Sequence, residues 1–185
     1  MNIKSKNKKA IPTGRQSIPI GRQGFTLIET MVALSIITFA ILGPISLATY
    51  SVRTSTLVKN NVIASFLAQD AMEYIKNWRD DNYLQGVDWL NKLKGPCANP
   101  SGCRVDTTLS WDDNSAIVNC PGTCPLLQYD GSSYNHSSGD DTIFRRKYMI
   151  EEDGKEAKIS IIVSWDDKFG SHSFVWEDYL FDWHP

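Results

Sequence analysis

At 185 residues, 42% hydrophobic and 22% charged, the chain can build one modest globular domain rather than several. Its formal net charge of -2 excludes the general basic excess on which nonspecific nucleic-acid binding relies. What charge there is lies unevenly, and the unevenness begins at the N-terminus.

Residues 1–24 form a basic leader with Lys4, Lys6, Lys8, Lys9, Arg15 and Arg22 and no acidic residue. Without it the chain keeps 13 basic against 21 acidic residues, about eight negative charges. Gly24-Phe25-Thr26-Leu27-Ile28-Glu29 follows, and then Met31 to Tyr50, a run with no charged residue. About 20 residues rising about 1.5 Å each match the roughly 30 Å hydrocarbon core of a bilayer, so residues 25–50 are predicted to cross a membrane as a helix. The basic flank keeps the N-terminus cytoplasmic and sends the remainder outside. Glu29 sits at the edge of this run, where a carboxylate needs a partner, because burial at a helix centre costs roughly 2.5–3.5 kcal/mol on insertion scales.

The G-F-T-L-I-E stretch, with its basic leader and apolar helix, resembles the class III signal of type IV prepilins and type II secretion pseudopilins. The resemblance implies that a membrane aspartyl peptidase cuts after Gly24 and methylates the new N-terminus at Phe25. It also implies that Glu29 pairs with the terminal ammonium of a neighbouring subunit, which fits the need of a buried carboxylate for an opposite charge. The implied partners are other pilin or pseudopilin subunits, the prepilin peptidase, an inner-membrane assembly platform and membrane lipid, with no nucleic acid expected. Two plainer readings compete. One is a secretory signal peptide cleaved after the small residues Ser46 and Ala48, the other an anchor that is never cleaved.

Residues 51–81 continue with helical periodicity, on two tracks. Val58, Val62, Phe66, Gln69 and Glu73 form one, and Leu67, Ala71, Tyr74 and Trp78 the other. Polar residues fill the remaining faces, so this half is predicted to be amphipathic and to pack its apolar side on a protein layer. A continuous helix from Phe25 to about Asp80 would be on the order of 80 Å long, more than a bilayer needs. Gly43 and Pro44 interrupt the first half, and a bend or local unwinding is expected there. Pilins of the family often carry a proline near this depth; here it falls two residues earlier.

Residues 82–141 are rich in Gly, Pro, Ser, Asn and Asp and read as loops with one or two strands. They hold all four cysteines, Cys97, Cys103, Cys120 and Cys124, which an oxidising compartment would pair. Pairing Cys97 with Cys103 and Cys120 with Cys124 is favoured, because Pro96, Pro100, Pro121, Gly122 and Pro125 already turn the chain back. A crossed arrangement is the rival. A four-thiolate zinc site is the sharper alternative, but structural sites space their pairs by two to four residues, and five lie between Cys97 and Cys103.

Residues 142–185 read as an antiparallel three-stranded sheet, with runs Phe144 to Glu151, Glu156 to Asp166 and Ser173 to Trp183 separated by turn signals. Ile159, Ile161, Val163 and Trp165 alternate with Lys158, Ser160 and Ser164, giving one apolar face to lay on the helix. The third run changes phase between Trp176 and Tyr179, which predicts a bulge near Glu177. The pattern of this tail resembles the minor pilin PilV and the pseudopilin I subunit. The expected fold is therefore α+β, a long N-terminal helix packed on a C-terminal antiparallel sheet, pilin-like.

Other chemistry has bland readings. Arg145-Arg146-Lys147 decorates a solvated strand face, His136, His172 and His184 are surface residues without catalytic spacing, and Trp78, Trp165 and Trp176 belong to the core. No catalytic residues are assigned and the chain is not read as an enzyme. No cofactor is assigned either. Some pseudopilins of the family bind calcium, and Asp112, Asp113 and Asn114 are the first place to look for it, before Asp140-Asp141 and Asp166-Asp167, although no EF-hand spacing is present. The function read from the sequence is a structural subunit of a type IV pilus or type II secretion-like filament. The alternative is a membrane-anchored extracytoplasmic domain that binds a metal or glycan and joins no filament.

Overall fold

The computed structural model describes residues 24–110 and 112–183. The chain divides after Leu47 into two units. Helix α1, Leu27–Leu84, begins in the first and ends in the second. It stays wound through Gly43 and Pro44, where local unwinding was expected. Pro44 has no amide to offer the Ala40 carbonyl, but one missing bond leaves the turns on either side free to propagate without a new nucleus.

The end of α1 is set by a glycine. Gly86 adopts φ +70°, its amide donates to the Tyr83 carbonyl at 3.0 Å, and the Val87 amide reaches back to the Asn82 carbonyl at 3.1 Å. This pair of bonds is a Schellman stop, and only a residue without a Cβ takes that conformation freely. The reversed chain then lays Trp89, Leu90 and Leu93 into the core, held by the Asn82 amide on the Trp89 and Asn91 carbonyls.

The second unit is a sheet covered by the later half of α1. The strands are β1 (Cys103–Val105), β2 (Ile117–Asn119), β3 (Leu126–Tyr129), β4 (Tyr134–Asn135), β5 (Asp140–Asp153), β6 (Glu156–Asp167) and β7 (Gly170–Phe181). All neighbours are antiparallel. One edge of β5 pairs with β6, which pairs with β7; the other edge takes β3 at Leu126↔Arg145 and β1 at Cys103↔Tyr148. The three long runs read from the sequence are β5, β6 and β7. The loop-rich region adds four short strands rather than one or two. Strands of two to four residues are too short to leave a periodic signal, and they take their register from β5 or from each other.

On β6, Ala157, Ile159, Ile161, Val163 and Trp165 are buried, in the alternation expected. They meet Ala64, Leu67, Ala68, Ala71, Met72, Ile75 and Trp78 of α1, where three alanines allow close approach. The track through Leu67, Ala71 and Trp78 is thus the inward one. Val58, Val62 and Phe66, on the other apolar track, lie on the opposite side of the helix and are exposed, so only one of the two tracks meets the sheet. A turn of about 100° per residue puts them about half a rotation from the alanine stripe.

Strand β7 corrects two further expectations. Its register with β6 runs without a break from Glu156↔Phe181 to Asp167↔Gly170, so no bulge forms at Glu177. The phase change has another cause: Asp178 occupies an inward position and is satisfied by Lys76 of α1 at 2.7 Å, leaving Tyr179 and Phe181 on the outer face. Trp176, read as core, is 36% exposed, whereas Trp78 and Trp165 are buried.

Arg146 is the largest departure. It is fully buried rather than solvated, because it shares inward parity with Phe144, Tyr148 and Ile150. Its Nη1 donates to the Leu67 carbonyl at 3.1 Å and to the Asp70 carboxylate at 2.8 Å, and its Nη2 donates to the Val105 carbonyl at 2.9 Å. Burial pulls its pKa down and the Asp70 carboxylate pulls it back up. Arg146→Ala strands two carbonyls and opens a cavity, and should cost about 3 kcal/mol or more. Asp70→Asn leaves a buried cation without its counter-charge. Because the Asp70 side chain is 52% exposed, that loss should be smaller, about 2 kcal/mol or less. Thermal unfolding of the full chain in detergent, followed by circular dichroism, checks the size and the order.

Candidate functional site at the start of the helix

Gly24 and Phe25 precede the first helical residue, and the Phe25 side chain is 80% exposed. A Cβ built on Gly24 would meet no atom within 4 Å, so packing among the described residues does not require glycine there. Thr26 is the N-cap. Its carbonyl accepts the Thr30 amide at 3.2 Å, and its hydroxyl accepts the Glu29 amide at 3.3 Å. Thr26-Leu27-Ile28-Glu29 thus has the spacing of a capping box, with a carboxylate in the first turn where the helix dipole favours it.

Beyond the cap, the helix is bare. Among the described residues none of the most hydrophobic 18-residue window is buried, and its mean hydropathy is 2.2. By length and composition this helix can cross a membrane. Its hydroxyls suit such a setting, since Ser35, Thr38 and Ser46 donate to the carbonyls of Met31, Leu34 and Leu42 at 2.7 to 3.0 Å. Polar groups satisfied on their own helix leave lipid nothing to solvate. Glu29 is the single charged residue from Gly24 to Val52. Residues 1–23 of the expected leader lie outside the described residues.

The remaining candidates sit in the second unit. Disulfides join Cys97 to Cys103 and Cys120 to Cys124, so the four thiols are not available as a zinc site. The two bridges are neighbours, because the Cys120 amide donates to the Gly102 carbonyl at 3.1 Å. Gly102 has φ +76°, and a side chain there would collide with Lys147 and the Tyr148 carbonyl, so the first bridge is drawn tight against β5. Among the described residues no three His, Cys, Asp or Glu side chains gather as a metal site. Asp113, Asp166 and Asp167 each direct a carboxylate oxygen into a local turn, to Ser115, Ser171 and Phe169.

His136 is not the surface residue expected. Both ring nitrogens are buried without a hydrogen-bond partner, while its amide donates to Asp106 at 2.8 Å. Desolvation, with Arg104 and Arg146 nearby, holds its pKa down at about 4. His172 stacks on Trp165 and faces Asp167 at 3.3 Å, and His184 lies outside the described residues. A buried histidine between turns leaves no periodic trace, so the sequence offered no signal for it.

Residues 21–43 match the family model for the prokaryotic N-terminal methylation motif. The match supports a processed precursor of the type IV pilin and pseudopilin type. The chain has no significant match among curated proteins or solved structures.

The depressed His136 pKa fixes the sign of a pH effect. The fold prefers the neutral ring, so this contribution is fully present above the ordinary value of 6.5 and is lost as the pH falls from there through about 4. The loss should amount to about 2 kcal/mol, discounted for partial burial. His136→Leu should be nearly neutral at pH 7.5 and should flatten the fall between pH 6.5 and 4, as measured by urea unfolding at a series of pH values.

Proposed function

We propose that this chain is a structural subunit, a minor one, of a type IV pilus or type II secretion-like filament, cut by prepilin peptidase after Gly24 and N-methylated on Phe25. The observation that carries the reading is the bare helix of the first unit, capped by Thr26 and charged only at Glu29. Such a surface needs a cover. In the precursor the cover is the inner membrane, with the leader cytoplasmic and the head outside; in the filament it is the same helix of neighbouring subunits.

Glu29 is the polar element of that exchange. Cutting after Gly24 frees an ammonium at Phe25, and the carboxylate of one subunit meets the ammonium of the next as lipid is left behind. A glycine that packing does not demand at the cut suits a requirement set by the peptidase rather than by the fold. The minor role rests on the tail, whose Arg145-Arg146-Lys147 segment of β5, V-S-W segment of β6 and aromatic β7 resemble the pattern of PilV and pseudopilin I. Its activity is assembly.

Gly24→Val should leave the fold unchanged and accumulate full-length precursor. Glu29→Leu should still be cut but should enter filaments at least tenfold less well, measured by immunoblot of sheared filaments. An intact mass starting at N-methyl-Phe25 is the expected product. A native chain that keeps its leader in cells with an active peptidase, or one that starts at Thr49, overturns the reading. A solitary membrane-anchored binding domain would be indifferent to Glu29→Leu.

A further inference from the structure

The turn between β6 and β7 lies at a telling height on α1. The uncharged run ends at Tyr50, and Arg53 is the next charged residue after Glu29. A shallow pocket at this level is lined by Ala48, Thr49 and Val52 of α1 and by Lys168 and Phe169 of the turn. The Arg53 guanidinium lies 5.1 Å from the centroid of the Phe169 ring, and the Lys168 ammonium lies 4.9 Å from it. Tyr50 is 69% exposed one helical turn below Arg53.

Two features point to one kind of ligand. Two cations that lie 5.1 and 4.9 Å from the centroid of one aromatic ring concentrate positive charge at this place, and an anion bound there offsets it. The acidic residues of the same turn are engaged locally. Asp167 accepts the Phe169 amide at 2.7 Å and faces His172 through one oxygen, its other oxygen is buried without a partner among the described residues, and its side chain is 12% exposed; Asp166 accepts the Ser171 hydroxyl at 2.6 Å. Lys168 and Arg53 remain exposed in a chain whose charge after processing is acidic. An aromatic ring, a tyrosine and long basic side chains at the end of an apolar run are also the residue types that sit at a lipid–water boundary.

We propose that Arg53, Lys168 and Phe169, with Tyr50, form a footing on the outer leaflet that binds an anionic phospholipid headgroup while the subunit waits in the membrane. Phe169 and Tyr50 enter the interfacial layer, and the two cations take the phosphate. The footing rests on the membrane-embedded stage of the function proposed above, and it holds the head against the bilayer until the subunit is withdrawn. The attraction falls off within a Debye length of the surface, so withdrawal by a few turns releases it.

Nitroxide depth measurements on the full chain test this, in vesicles of phosphatidylethanolamine with phosphatidylglycerol. Labels are placed at Ser171→Cys beside the turn, at Glu156→Cys at the other end of β6, and at Ile37→Cys in the apolar run. The expected result is an oxygen-to-nickel-chelate accessibility ratio several-fold higher at 171 than at 156. Phe169→Asp or Arg53→Glu should lower it toward the value at 156, and so should vesicles of phosphatidylcholine alone. Equal ratios at 171 and 156 overturn the footing. A high ratio at 171 that neither Arg53→Glu nor the change of lipid reduces overturns the anionic headgroup as its ligand. A label at 37 open to the aqueous chelate overturns the membrane-spanning reading itself, and so separates that failure from failure of the footing alone.

Discussion

The guanidinium of Arg146 is the constraint on which the second unit depends. It is fully buried and still cationic, since arginine does not give up its proton in a protein, so its donors have to be met from within. Its two Nη groups are met from three places: the Leu67 carbonyl and Asp70 carboxylate on α1, the Val105 carbonyl at the end of β1, and the Thr107 hydroxyl just beyond it, while the Nε stays buried without a partner among the described residues. Thr107 in turn donates to the same Asp70 oxygen at 2.6 Å. Apolar packing tolerates small slips of a helix along a sheet. A network of directed bonds does not, because a slip strands charged and polar groups away from water. Arg146 therefore fixes where α1 lies on β5, and the apolar contacts fill the position it defines.

Other polar contacts fasten the helix along its length. Lys76 meets Asp178 of β7 at 2.7 Å, Tyr74 donates to the Leu109 carbonyl at 2.8 Å, and Tyr83 stacks on Trp183 with centroids 4.8 Å apart. The ion pair is half-exposed and is worth little alone. Its effect is on specificity, because it lets a carboxylate occupy an inward strand position without a bulge. The same helix that is exposed up to Leu47 is thus held by ion-pair, hydrogen-bond and ring contacts further on.

Much of this was legible in the sequence where the signal was long or local. The leader, the G-F-T-L-I-E stretch, the uncharged run and the β6 alternation are such signals, and they gave the α+β architecture and the start of the helix. The short cysteine loops, rich in proline and glycine, pointed to neighbour pairing. Arg146 was misread although its parity with Phe144, Tyr148 and Ile150 was available, because residue type was weighed above position. The bulge expected near Glu177 followed from the parity of the aromatic residues alone, whereas the register is unbroken and the inward place between them goes to Asp178, which a lysine from 102 residues earlier satisfies. The four short strands and the buried His136 depend on contacts distant in sequence, and no local pattern encodes them. The exposed Val58, Val62 and Phe66 show the converse: an apolar track on a helix states a need for cover without saying which molecule supplies it.

The order of strands carries a consequence for how the head is built. Strands β5, β6 and β7 follow one another as a meander, with hairpin turns only a few residues long joining 12- to 14-residue partners. Closing such hairpins removes little chain entropy, whereas bringing Arg146 to Asp70 closes a loop of 76 residues. The meander is therefore the cheaper element to form, and it can present a ready-made bed before the helix is laid down. That ordering lets the C-terminal quarter of the chain acquire its shape independently of where the N-terminal helix lies.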